Sequence, residues 1–177
     1  MRYYPNDILV DHGTWLEIDI STKKYPEKVM CIDVDDWERI SAIQRKRVSA
    51  FSPDRSGKML YASVNFDLKQ KLIHRLVMSE PRSRIDHVDR NGLNNCKINL
   101  RLCSASQNAH NTGIRSDNTS SVKGVYFNKK AGKWEATLIK AGKFYYLGGY
   151  QLIEDAIAAR RNAEVQMLGE FAPIGIQ

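Results

Sequence analysis

The sequence predicts an α+β protein whose C-terminal part is a three-stranded antiparallel sheet packed on one helix. Three observations carry that expectation. Strand-like runs rich in β-branched and aromatic residues flank one short helical pattern in the first part of the chain. A turn-rich segment, "IDHVDRNGLNNCKINLRLCSASQN" at 85–108, holds one histidine, two aspartates and five asparagines. Three alternating runs joined by "AG" turns then precede an alanine-rich stretch with helical spacing.

Taken in order, "KVMCID" reads as a strand and "VDDWERISAI" as a short helix, with Asp33 or Asp35 near its start, where a carboxylate favours exposed N–H groups. "KRVSAF" and "KMLYASVNF" read as strands separated by the turn "SPDRSG". In the central segment "RIDHV" is a strand, "RNGLNN" a turn, "LRLC" a second strand and "SASQNAHN" the start of a helix capped by Ser104 or Ser106. The stretch "NTGIRSDNTSSVKG" at 111–124 has no apolar periodicity and reads as a linker. Beyond it, "GVYFNKK", "KWEATLIK" and "KFYYLGGY" are strands and "QLIEDAIAARRNAEVQML" is a helix. Ile153, Ala156, Ala159, Ala163 and Met167 recur on one face of that helix, and Gly169 stops it.

At 177 residues, 42% of them hydrophobic, the chain can bury one ordinary core or two small ones. A net charge of +7 favours a polyanionic partner. The charge is uneven: Arg115 to Leu147 holds seven Lys or Arg against Asp117 and Glu135, whereas Gln151 to Glu170 holds two Arg against four acids. The sheet is the cationic side, unless its lysines are an ordinary solvated set. Cys31, Cys96 and Cys103 form no CxxC pair, which fits a reducing compartment. No run approaches the ~18 apolar residues of a membrane span, so a cytoplasmic protein without a membrane partner is expected.

The 85–108 segment raises a chemical question. A helix folding back across the hairpin would bring Asn108 near Asp86 and His87. A carboxylate and an amide supply hard oxygen donors that suit Mg²⁺ or Mn²⁺, and an imidazole beside them could take a proton from water. Neighbours on a regular strand point to opposite faces, so Asp86 and His87 together require a strand end or a bend. Asn99 can tie such a loop through backbone groups. The alternatives are a surface loop with an incidental histidine, or a zinc set of His87, Cys96, Cys103 and His110, whose spacings fit no common finger.

The spacing is distinctive: His87, Asn99 twelve residues on, and Asn108 nine further. With "DHVDRNGLNNCKINLRLCSASQN" and the upstream "HRLVM" at 74–78, it resembles the phage-type branch of the HNH endonuclease family, which ends in Asn. The resemblance implies a ββα-metal HNH nuclease fold over 74–111. It also implies that His87 is the general base, that Asp86 and Asn108 hold one Mg²⁺ or Mn²⁺, and that Asn99 braces the loop. His74 would support the site, Asn94 and Asn95 would form the loop, and Arg101 would touch phosphate or a nearby carbonyl. The implied reaction is hydrolysis of a DNA phosphodiester, leaving 5′-phosphate and 3′-hydroxyl ends.

The C-terminal segment, through "KGVYFNKKAGKWEATL", "YYLGGY" and "EDAIAARRNAEVQMLGEF", resembles the plant ethylene-response-factor (Apetala-type) DNA-binding domain. Such domains lay their sheet in the major groove. Alternation places Val125, Phe127, Trp134, Ala136, Leu138, Tyr145 and Leu147 towards the helix, and Tyr126, Asn128, Thr137, Ile139, Phe144 and Tyr146 on the face that would meet DNA. Lys129, Lys130, Lys133, Lys140 and Lys143 are candidates for phosphate contact. "QRKRV" at 44–48 either contacts DNA or simply ends a charged helix.

The expected organisation is an N-terminal α+β region (1–73), the HNH motif (74–111), a linker (112–120) and a DNA-binding domain (121–177). The expected function is a homing-type, site-directed DNA endonuclease acting on double-stranded DNA in a bacterial or phage-infected cell. It would be a monomer that nicks, with no protein partner. A non-catalytic DNA-binding regulator and an RNA-binding protein are the alternatives.

Overall fold

A computed structural model describes residues 6–43, 46–54, 57–66, 69–114 and 116–173. Gln44 and Arg45 of the basic "QRKRV" stretch lie outside them. The structure is mixed α/β, built mostly from small antiparallel sheets with few helices, and divides into two units, Met1–Leu102 and Cys103–Gln177.

The first unit opens with a three-stranded antiparallel meander, β1 (Ile8–Asp11), β2 (Trp15–Asp19) and β3 (Val29–Asp33). The register sets Leu16 opposite Ile32 and Ile18 opposite Met30, so alternate residues of two strands share one buried face. Burying an isoleucine such as Ile18 contributes about 1.5–3 kcal/mol. Helix α1 (Val34–Ile43) follows at once, with Asp35 and Asp36 in its first turn and Trp37 and Ile40 turned into the same core. Strands β4 (Ser49–Phe51), β5 (Tyr61–Phe66) and β6 (Lys69–Leu72) form a second antiparallel meander, covered by the five-residue helix α2 (Ile73–Val77). Ala50, Ala62, Val64, Ile73, Leu76 and Val77 join it to the first sheet's core. Strands β7 (Arg84–His87) and β8 (Leu100–Cys103) pair with each other, and a 3-10 turn over Lys97–Asn99 leads into β8.

The loop between β7 and β8 is docked on β3. The Cys31 N–H donates to Leu93 O at 3.0 Å, and the Asn95 N–H donates to Cys31 O at 2.7 Å. The Lys97 N–H donates to Asp33 Oδ2 at 2.7 Å, and Lys97 Nζ lies 3.0 Å from the buried Asp36 Oδ2. The N-terminal sheet therefore holds the asparagine-rich segment in place. Gly92 permits a further close approach: a Cβ there would lie 2.3 Å from Leu60 O and 2.7 Å from the Tyr61 ring.

The second unit begins with helix α3 (Ala105–His110). Of the two serines that could cap it, Ser104 does so. Its hydroxyl accepts from the Gln107 N–H, and Gln107 Oε1 accepts from the Ser104 N–H, a reciprocal capping box. Strands β9 (Val125–Asn128), β10 (Lys133–Lys140) and β11 (Lys143–Tyr150) form an antiparallel sheet backed by helix α4 (Ile153–Leu168). Val125, Ala136 and Ala156 make its small core, with Trp134, Leu147, Tyr150 and Ile157 packed around them. Gly169 ends α4 at a φ of +55°.

The expected linker, 112–120, belongs to this second unit and is tied into it. The buried Ser120 hydroxyl donates to Val125 O at 2.7 Å, and Asn118 Nδ2 donates to Val122 O at 3.1 Å. Lys123 Nζ donates to Ala109 O and Thr112 Oγ1, both at 2.6 Å, closing the C-terminal end of α3. The Ala141 N–H donates to Ser106 Oγ, which attaches α3 to the β10–β11 turn. Polar composition suggested a free connection, yet the Asn, Ser and Thr side chains here satisfy backbone groups.

Candidate functional site

His87 is the last residue of β7, and the chain turns directly after it: the Arg90 N–H donates to His87 O at 2.9 Å, with Arg90 at a φ of +64°. This is the strand end that the Asp86–His87 pair requires. Both side chains are withdrawn from solvent, each residue only 6% exposed.

Asn99 holds the turn that follows. Its Oδ1 accepts from the Asp89 N–H at 3.0 Å, while its Nδ2 donates to Asp89 Oδ1 at 2.9 Å and Asn94 O at 2.8 Å. Its carbonyl accepts from the Val88 N–H at 2.9 Å. Asp89 is the other hub, also accepting from the Asn91 N–H at 2.8 Å and from Asn94 Nδ2 at 2.8 Å. Asp89 was not among the residues expected to act here, although an aspartate whose carboxylate can accept from the backbone N–H two residues on is a known way of closing a turn.

Asp86 is engaged by Arg101. Nε at 2.9 Å and Nη2 at 2.7 Å both donate to Asp86 Oδ2. Arg101, expected against phosphate or a carbonyl, here faces the carboxylate expected to bind metal. Asn108 lies on α3 and belongs to the second unit, whereas Asp86, His87, Asn99 and Arg101 belong to the first.

Two further rings surround His87. The His74 ring lies 5.0 Å from it, perpendicular, and the Tyr61 ring 5.9 Å from it; Tyr61 and His74 are 5.6 Å apart. Burial pushes His87 below the ordinary histidine value, opposed by a side-chain hydrogen bond with Asn95 and by the Asp89 and Asp86 carboxylates. His74 is pushed down to about 3 by burial, then by His87 and Arg75. Both imidazoles are therefore neutral near pH 7, the form in which His87 can accept a proton. Tyr61 had no signal in the sequence, because its contacts to His74 and His87 are long-range.

The zinc alternative finds no support in the cysteines. Burial first, then Asp33, pushes the Cys96 thiol up to about 12. Among the described residues no group of three or more His, Cys, Asp or Glu is placed to hold a metal. Asp86 supplies a carboxylate oxygen, a hard donor of the kind that Mg²⁺ or Mn²⁺ takes.

On the second unit's sheet, Tyr126, Ile139, Phe144 and Tyr146 are exposed, the last 58% so, and Lys129, Lys130, Lys133, Lys140 and Lys143 are exposed around them. Two residues expected on this face are occupied elsewhere. Thr137 is buried, because the chain entering β9 covers it: its N–H and hydroxyl both donate to Gly124 O, at 2.8 and 3.2 Å. Asn128 donates to Glu135 Oε1 at 2.7 Å and accepts from the Lys130 and Ala131 N–H groups, so its side chain builds the β9–β10 turn. Tyr126 also donates to Glu135, at 2.9 Å. Phe127, expected towards the helix, shares Trp134's face but lies on the outer strand, so that it is exposed while its ring stacks edge-on against Trp134 at 5.3 Å.

No helix among the described residues is long and apolar enough to cross a membrane. No protein-family model and no solved structure matches the chain. It is similar to a protein of Acanthamoeba polyphaga mimivirus named as an uncharacterized HNH endonuclease, 28% identical over 116 residues, covering 62% of this chain and 59% of that one. It is 33% identical over 88 residues to protein 3.8 of Escherichia phage T7, covering 50% of this chain and 72% of the phage protein. On that coverage, the chain belongs to the family of phage T7 protein 3.8.

Proposed function

We propose that the chain is a metal-dependent DNA endonuclease of the HNH type, site-directed and of the homing kind, which nicks double-stranded DNA as a monomer. The observation that carries this reading is a buried, neutral His87 at a strand end, next to Asp86 and on a turn braced by Asn99. Similarity to a protein named as an HNH endonuclease supports it.

In this reading His87 takes a proton from water and the resulting hydroxide attacks phosphorus in line, a role for which a neutral imidazole is suited. Asn99 keeps the turn after His87 closed and so fixes where the imidazole points. Asp86 and Asn108 would hold a Mg²⁺ or Mn²⁺, which when bound supplies stabilisation of charge on the phosphate and the departing oxygen. The exposed lysines, with Tyr126 and Tyr146, would carry the second unit's sheet onto DNA. The lysines would act through phosphate and the tyrosines at the groove.

The test is conversion of supercoiled plasmid to open circle with Mg²⁺ or Mn²⁺, comparing wild type, His87→Ala and an EDTA control. Metal-dependent nicking lost in the variant supports the reading. Salt-sensitive binding without nicking would make the chain a DNA-binding regulator instead.

A further inference from the structure

Arg101 directs two donors at a single oxygen, Asp86 Oδ2, and the two side chains retain only 13% and 7% of their exposure. A charge pair so withdrawn from water is strongly held unless each partner is offered another. The pair is formally neutral. A divalent ion approaching Asp86 in the DNA-free protein therefore meets a guanidinium already held on that carboxylate, with the charges of the pair cancelled. A DNA phosphate changes both conditions: the planar guanidinium fork matches phosphate as well as carboxylate, and phosphate oxygens are ligands that Mg²⁺ takes readily.

We infer that Arg101 is the counter-ion of Asp86 in the free protein and exchanges it for a backbone phosphate when DNA binds, so that metal and DNA bind cooperatively. The inference rests on the reading of Asp86 as a metal ligand. Linkage then requires that DNA tighten metal binding by the same factor as metal tightens DNA binding.

The test is Mn²⁺ binding to the full chain without DNA, followed by electron paramagnetic resonance of the free ion. Arg101→Gln is expected to bind Mn²⁺ about tenfold more tightly than wild type, whereas Arg101→Lys, which keeps the charge, stays within about threefold. Adding Asp86→Asn to Arg101→Gln is expected to abolish the gain. Equal affinity in wild type and Arg101→Gln overturns the inference while leaving Asp86 as a ligand if Asp86→Asn still weakens binding. A gain that survives Asp86→Asn overturns the ligand reading itself. Should Arg101→Gln fail to fold, the wild-type Arg101 Nε–H resonance provides the measurement. A signal unmoved by Mg²⁺ alone but shifted by Mg²⁺ with a short duplex supports the exchange, and an equal shift with Mg²⁺ alone overturns it.

Discussion

Asn99 and Asp89 hold each other twice: the Asp89 N–H donates to Asn99 Oδ1 at 3.0 Å, and Asn99 Nδ2 returns a bond to Asp89 Oδ1 at 2.9 Å. The pair closes the turn that follows His87. Asp89 is exposed and can turn to water, so removing the Asn99 side chain costs the net value of these bonds, about 0.5–1.5 kcal/mol each. Asn99→Ala is expected to lower the unfolding free energy by that amount and to reduce nicking, while Asn99→Asp, which keeps one acceptor, falls between; denaturant titration and plasmid nicking measure both.

His87→Ala is expected to reduce cleavage by ~10²–10⁴-fold, the usual contribution of a general base, with DNA affinity within about twofold of wild type. Single-turnover nicking and gel-shift titration on the same duplex separate the two.

The pH dependence has a definite sign. His87 lies below its ordinary value of 6.5, so the acid limb of the nicking rate is expected below pH 6.5, with loss as the imidazole protonates. His74, at about 3 when folded and at the ordinary 6.5 when unfolded, leaves the unfolded chain binding more protons between those values. Its contribution is fully present above pH 6.5 and is lost as pH falls towards 3, at up to about 1.4 kcal/mol per pH unit. His74→Phe keeps a ring and cannot charge; its stability relative to wild type should rise from pH 7 to pH 4.5, and parallel slopes in urea unfolding would contradict this.

If the sheet lysines contact phosphate, DNA affinity falls with salt at about 0.9 log unit per log unit for each phosphate neutralised. Lys133→Ala and Lys140→Ala are each expected to flatten that slope by about 0.9. Thr137→Val, whose hydroxyl is committed to Gly124 O, is expected to change stability and leave the slope unchanged.

Gly92→Ala is expected to destabilise the first unit by about 1–3 kcal/mol, the range for overpacking, because the new methyl meets the Leu60 carbonyl and the Tyr61 ring. Thermal unfolding checks it, with Gly113→Ala as the control, since nothing lies within 4 Å of a Cβ there.

The second unit's sheet and helix were legible because their signals are local: a period of two, tight turns, then alanines at helical spacing. β3, α1 and the strands flanking the asparagine-rich loop were legible for the same reason. β1 was not, because all four of its residues are exposed and no apolar alternation marks it, and the five residues of α2 are too few to show a period. In the site, the turn around His87 could be read from its Asx residues. The Arg101 bond to Asp86 and the Tyr61 ring beside His87 could not, since cross-chain contacts leave no periodic trace. Alternation likewise gave the side of the sheet for Thr137 and Asn128 but not the backbone groups that occupy them.

The bonds from Lys123 and Ala141 to α3 bear on how such a chain could be reshuffled. A recombination joint placed in the Ser- and Asn-rich stretch would part α3 from Lys123, Ala141 and their hydrogen bonds. A joint between Leu102 and Cys103 keeps them together, so a lineage that exchanged its C-terminal module there would inherit Asn108 along with the sheet. Variation in this position would then travel with the C-terminal sheet and helix, and not with the histidine.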